Sequence, residues 1–144
     1  MVPVKSSDIP EGERHVAVLL GGLLQGVRDA FDPVEWGGLR QSHFRVISSV
    51  PAGGISVTEL AERVGMTKQG CGQFVAQLVA SGHLTSEPGP VDARVRIVRR
   101  TPLGEENVVA VTARMDMVEQ AWRERVGDRR YATFRKVLEQ LADA

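Results

Sequence analysis

Lys68, Gln69 and Gln73 stand within six consecutive positions, and Arg94 and Arg96 follow two residues apart. A glutamine amide donates and accepts at once, so it can pair bidentately with the edge of adenine. A lysine can donate to guanine acceptors or to phosphate, and arginines neutralise phosphate. Thr67, just before Lys68, carries a hydroxyl suited to capping a helix and, secondarily, to meeting a phosphate oxygen. The set is equipped to hold and read a polyanion. Covalent and metal chemistry lack comparable support. His15, His43 and His83 show no metal-ligand spacing with one another or with carboxylates. No nucleophile–base pairing, phosphate-cradling glycine loop or paired carboxylate is evident. The expectation is a chain with no catalytic residues, no metal and no cofactor.

Those polar residues need a scaffold, and the surrounding pattern supplies one. Ser56-Val57-Thr58-Glu59 reads as a capping box opening a helix whose inner face is Leu60, Ala61 and Val64. Gly65 ends it by taking a left-handed conformation. Thr67 caps a second helix with a predicted buried stripe of Cys71, Phe74, Val75, Leu78 and Val79, which leaves Lys68, Gln69, Gly70, Gly72, Gln73 and Gln77 off the stripe. After Ser81-Gly82, residues 83–85 read as a strand, Pro88-Gly89-Pro90 as a tip and 95–98 as a returning strand. Arg94 and Arg96 then share its outer face. Helix, glycine turn, helix and arginine-rich hairpin is the order of a winged helix-turn-helix, which sets its second helix in a major groove.

The rest of the chain reads as helical. Residues 1–12 carry prolines, serines and Gly12 without apolar period and are expected to be a flexible lead-in. Val16, Leu19, Leu20, Leu23, Leu24, Val27, Ala30 and Phe31 trace an amphipathic helix ending near Asp32-Pro33, and Phe44, Ile47 and Val50 mark a shorter one. Val108, Val111, Met115, Val118, Trp122 and Val126 trace a long helix. Gly127-Asp128 separates it from a last one with Tyr131, Phe134, Val137, Leu138 and Leu141. The fold class is mainly α with a small β-wing. The expected organisation is a lead-in (1–12), an N-terminal helix (13–36), a winged helix-turn-helix core (37–102) and C-terminal helices (103–144).

Composition sets the outer limits. With 144 residues, 25% charged and 42% apolar, the chain suits one folding unit with a sizeable core rather than a disordered or fibrous protein. No apolar run approaches the roughly 20 residues of a membrane span, and no secretory signal pattern opens the chain, so a cytoplasmic protein without a membrane partner is expected. A single cysteine excludes an intramolecular disulfide and suits a reducing compartment. Net charge is zero, but residues 40–100 hold eight basic and four acidic side chains, a surplus of four that the flanks must cancel. A basic middle between acidic ends is expected where the middle meets phosphate.

From Ser42 to Gly104 the sequence resembles the MarR (multiple antibiotic resistance regulator) family of bacterial winged-helix repressors. The residues that carry the likeness are Thr58-Glu59-Leu60-Ala61, Val64-Gly65-Met66-Thr67-Lys68-Gln69, Gly82, Asp92-Ala93-Arg94, Val98, Thr101 and Gly104. The resemblance implies a homodimeric, sequence-specific transcriptional regulator bound to a pseudo-palindromic double-stranded DNA operator, a ligand-responsive repressor. It implies DNA contacts at Thr67, Lys68, Gln69, Gly70, Gln73, Arg94 and Arg96, with Asp92 pairing with an arginine such as Arg94 to orient the wing. It also implies a dimer interface on the first, fifth and sixth helices, where Val16, Leu19, Leu20, Leu23, Val118, Trp122, Tyr131, Phe134 and Leu138 lie. A small aromatic or phenolic effector is implied too, with Trp36 and His43 as pocket candidates beside core packing.

Two departures from the family pattern matter. Gly70 and Gly72 stand where Ser, Thr, Ala or Val is usual, each costing the helix about 1 kcal/mol relative to Ala. Arg100 replaces the usual Leu, adding a cation near the DNA-facing or interdomain surface. The two glycines motivate an alternative, a winged-helix protein-interaction module without operator recognition. Cys71 has two readings as well, a small packing residue or a thiol activated by the helix N-terminus.

Overall fold

A computed structural model describes residues 10–144, and part of the expected lead-in, residues 1–9, lies outside the described residues. Among the described residues six helices and three strands follow in the order α1 (Val16–Asp29), α2 (Gln41–Ser49), β1 (Ile55–Ser56), α3 (Val57–Val64), α4 (Lys68–Ala80), β2 (Leu84–Pro88), β3 (Arg96–Arg100), α5 (Pro102–Val126) and α6 (Asp128–Ala142). The chain divides into two compact units. One is Phe31–Ala113, and the other joins the N-terminal segment through Ala30 to residues 114–144.

Residues 31–113 contain most of the buried apolar side chains. Phe44, Val46, Ile47 and Val50 from α2 meet Leu60, Ala61 and Val64 from α3 and Cys71, Val75 and Leu78 from α4, with Leu84 and Val98 closing the core from the strands. Ser56 Oγ accepts the Glu59 N–H at 3.2 Å, which is the forward half of the expected capping box. The return bond from Glu59 is not made, and the Ser56 backbone lies in a strand paired with β3. Gly65 takes φ 68°, and the Met66 N–H donates to the Ala61 carbonyl at 2.9 Å, so α3 stops within one residue and the chain turns into α4. Arg63 Nη1 donates to the Ser49 carbonyl at 3.2 Å and so satisfies the end of α2.

The sheet is antiparallel, in the order β1-β3-β2. Leu84 pairs with Arg100 and Pro88 with Arg96, so the hairpin is longer and further along than residues 83–85 and 95–98 imply. Pro88 ends β2, an edge strand, where a missing N–H costs no ladder bond. The two-residue β1 carries no period of its own. It forms because Ile55, 4% exposed, is drawn into the core opposite Val98.

Thr101 joins the hairpin to α5. Its N–H donates to the His83 carbonyl at 3.2 Å, its hydroxyl donates to the Gly82 carbonyl at 2.6 Å, and the Gly104 N–H donates to that hydroxyl oxygen at 3.1 Å. This draws the first turn of α5 so close to the hairpin that a Cβ on Gly104 would overlap the His83 carbonyl oxygen. Arg100 is held in the same place. Its side chain is 15% exposed and its Nε lies 3.0 Å from Glu105, so it serves this junction and not a phosphate.

In the other unit, Arg114 Nη1 donates to the Ala30 carbonyl at 2.8 Å at the end of α1. Tyr131 is buried, and its hydroxyl donates to Glu119 at 2.5 Å. Burial and the Glu119 carboxylate push the Tyr131 phenol up. A cavity of about 550 Å3 is lined by Gly22, Gly26, Trp122, Arg125, Tyr131 and Phe134, among others.

Replacing Gly104 with Ala is expected to destabilise the protein by about 1–3 kcal/mol, the cost of overpacking, despite alanine's better helix propensity. A thermal melt checks this, and an unchanged midpoint contradicts the close approach.

Candidate nucleic-acid interface

The roll of α4 about its axis decides what it presents. Cys71, Val75 and Leu78 are buried at successive helical steps, whereas Phe74 is half-buried and Val79 is 40% exposed. The buried stripe is therefore narrower than the expected five residues. Phe74 leaves the core because its ring sits edge-on to His43, centroids 5.1 Å apart. With the stripe turned inward, Lys68, Gln69 and Gln73 are all exposed. The Gly70 N–H donates to Thr67 Oγ1 at 3.0 Å, so Thr67 caps α4 as its hydroxyl and position imply. No acidic residue occupies the first turn of α4, and Lys68 has no acidic partner among the described residues. The end of the helix is thus positive from both its backbone and its side chain.

The hairpin tip is a constructed turn. The Gly89 N–H donates to the Val95 carbonyl at 2.6 Å, and a Cβ on Gly89 would lie 2.8 Å from the Asp92 carbonyl oxygen. Asp92 Oδ1 accepts the Arg94 N–H at 3.0 Å and faces Arg94 Nε at 3.3 Å. The pairing of Asp92 with Arg94 is therefore formed. At 91% side-chain exposure for Arg94 it orients the tip more than it stabilises it, since exposed pairs are worth about 0.2–1 kcal/mol. Arg94 does not share a strand face with Arg96, however. It lies in the turn, because β3 begins at Arg96. Arg96 is drawn back along the hairpin, its Nη2 donating to the Ser86 carbonyl at 2.6 Å and its Nε to Ser86 Oγ at 3.2 Å.

The structure brings Lys68, Gln69 and Arg96 to one groove between α4 and the hairpin, with Gly72, Val57, Val75, Ala76, Val79 and Ser86. Arg94 and Gln73 do not line it. Arg94 stands at the tip, and Gln73 is exposed further round α4. Ser86 and the apolar floor were missed by sequence reading, since only the strand register sets Ser86 beside Arg96.

Cys71 is fully buried, and burial pushes its thiol up, away from an activated thiolate. Trp36 packs against Phe31 and Phe44, with centroids at 5.2 and 5.1 Å. His43 Nδ1 accepts the Arg40 N–H at 3.1 Å, which leaves Nε2 to donate to Gln77 Oε1 at 2.9 Å and ties α2 to α4. Of the expected interface residues, Val16, Leu19, Leu20 and Leu138 are exposed. Leu23, Val118, Trp122 and Phe134 are half-buried, and Tyr131 is buried within its own unit. Among the described residues no group of three His, Cys, Asp or Glu side chains could hold a metal ion. Nor is any described helix long and apolar enough to cross a membrane.

A capped helix pair joined at a left-handed glycine, with an arginine-tipped hairpin beside the second helix, defines a winged helix-turn-helix. Residues 38–95 match the MarR family model. The fold is shared with solved transcriptional regulators. The reduced form of MarR from E.coli superposes with a TM-score of 0.77 at 18% identity, over 89% of this chain and 96% of that one. The transcriptional repressor CouR, bound to a 23-mer DNA duplex, gives 0.76 at 20% identity over 93% and 98%. The PcaV transcriptional regulator from Streptomyces coelicolor, in complex with its natural ligand, gives 0.69 at 21% identity over 100% and 99%. At these identities the likeness is one of fold. No curated protein matches the sequence. The family and its solved members are transcriptional regulators and not enzymes.

Burial of Cys71 leads to a direct expectation. An aromatic disulfide reagent should leave the folded protein unreacted for far longer than the unfolded chain, and a fast native reaction would restore the activated-thiol reading.

Proposed function

We propose that the protein is a homodimeric, sequence-specific DNA-binding regulator, a ligand-responsive repressor that acts in the cytoplasm on a pseudo-palindromic operator. The observation that carries this reading is the exposed first turn and a half of α4. There Thr67, Lys68, Gln69, Gly70 and Gln73 form a polar, acid-free surface beside a hairpin bearing Arg94 and Arg96. In this geometry the start of the second helix meets base edges while the wing follows the adjacent backbone. The similar repressor CouR is solved on a DNA duplex, which supports the same partner here.

Dimerisation has its own support. Leu19, Leu20, Leu24, Val126, Val137, Leu138 and Leu141 are all at least 36% exposed, apolar surface on the terminal helices that a second copy could cover. Two copies would set paired recognition helices on half-sites one helical turn apart. For ligand response, the similar PcaV is solved with its natural ligand. The cavity ringed by Trp122, Tyr131 and Phe134, with Arg125 beside them, has a size and lining that suit a small aromatic effector. Trp36 and His43 are the other candidates, and their rings are already engaged with Phe44 and Phe74.

Binding to duplex DNA from the promoter beside its own gene is the test. Affinity should fall steeply with added salt, because phosphate neutralisation releases counterions. Lys68→Ala and Arg94→Ala should each weaken binding by about tenfold or more and lower the salt slope by about two, one for each subunit of the dimer. Wild-type affinity in both variants would falsify the assignment and favour a protein-interaction module.

A further inference from the structure

The two glycines of α4 differ in what the subunit asks of them. A Cβ on Gly70 would lie 3.0 Å from Thr67 Oγ1, a close contact to which the cap must yield by a few tenths of an ångström. Gly72 has no such neighbour. A Cβ built on it meets no atom within 4 Å, and its φ is not in the left-handed region. Inside a helix, alanine at this position would be tolerated by every neighbour and preferred by the backbone. Glycine at 72 is therefore a cost to folding that nothing within residues 31–113 requires.

Gly72 lies in the groove between α4 and the hairpin. The floor of that groove, Val57, Val75, Ala76 and Val79, is almost wholly apolar, while Lys68 and Arg96 supply cations. Arg96 is fixed by its two bonds to Ser86 and is already oriented before any partner arrives. When one element enters a major groove and its neighbour reaches the adjacent minor groove, the strand that separates the two grooves must cross the gap between them. A deoxyribose–phosphate strand fits this gap: carbon-rich sugar against the valines, and anionic phosphates toward Lys68 and Arg96.

We propose that Gly72 is a clearance position at which one deoxyribose–phosphate strand of the operator lies against the bare backbone of α4. A methyl group there keeps the strand off the helix. The bare helix surface thus sets how deeply the module seats, and with it the reach of Gln69 and Gln73 to the bases. This rests on the DNA-binding reading above.

The test pairs two measurements on full-length Gly72→Ala: a thermal melt, and affinity for the promoter duplex across a salt series. The melting midpoint should rise by about 3 °C, as relief of an interior helical glycine implies. Affinity should fall by about ten- to a hundredfold, the scale of one lost base-pair match, with the salt slope unchanged because no cation is removed. Gly70→Ala serves as the contrast: its Cβ meets the Thr67 cap at 3.0 Å, so its midpoint should rise less than that of Gly72→Ala. Wild-type affinity in a stabilised Gly72→Ala protein overturns the clearance role. A lowered midpoint overturns it as well, by giving Gly72 an internal duty. If the unaltered protein binds no duplex, the failure belongs to the DNA-binding reading itself.

Discussion

The inward turn of Cys71, Val75 and Leu78 is the constraint on which the rest depends. Three side chains at steps of four and three fix the roll of α4, and each is under 5% exposed against α2, α3 and the hairpin base. Once that roll is set, the remaining residues of the first two turns have no choice of direction, and Lys68, Gln69 and Gln73 face outward together. The cap from Thr67 and the left-handed Gly65 fix where the helix begins, so both the register and the rotation of the polar surface are decided by groups that never leave the subunit. A rotation that brought Gly70, Phe74 and Gln77 inward would bury the Gln77 amide, and the opposite one would put Gly72, Ala76 and Val79 in the core and leave it underfilled.

The hairpin solves a different problem by the same economy. Its tip is closed by Gly89, Asp92 and Val95 through short local bonds, and its base is closed by Thr101 against Gly82 and His83. Between these closures Arg96 is steadied by Ser86, while Arg94 is left exposed at the turn. One cation is thus prepositioned beside α4, and the other, paired with Asp92, stands exposed at the turn. This division of roles follows from where β3 begins.

Much of this was legible in the sequence wherever one residue type has one physical use. Gly65, Thr67, Ser56 and Gly127 announced helix ends, and apolar spacing at three and four gave the six helices. What escaped reading depends on pairing between distant segments. Strand β1 exists only because Val98 lies opposite Ile55. The hairpin register moved Arg94 off the strand, and Val79 left the buried stripe because the hairpin does not cover it. Arg100 read as a cation near the surface, but Glu105 and the Gly104 approach hold it at the α5 junction. The candidate site was legible as a list of polar residues. Its apolar groove and the contrast between Gly70 and Gly72 needed coordinates, since only these tell a glycine that a neighbour crowds from one in open space.

The central claim is that the polar face of α4 lies against duplex DNA, and lysine-selective acetylation of the protein with and without saturating promoter duplex tests it most directly. Lys136, on α6, serves as an internal reference. The account predicts that DNA strongly slows labelling of Lys68 while Lys136 keeps its rate. Equal labelling of Lys68 in the free and saturated protein would contradict it.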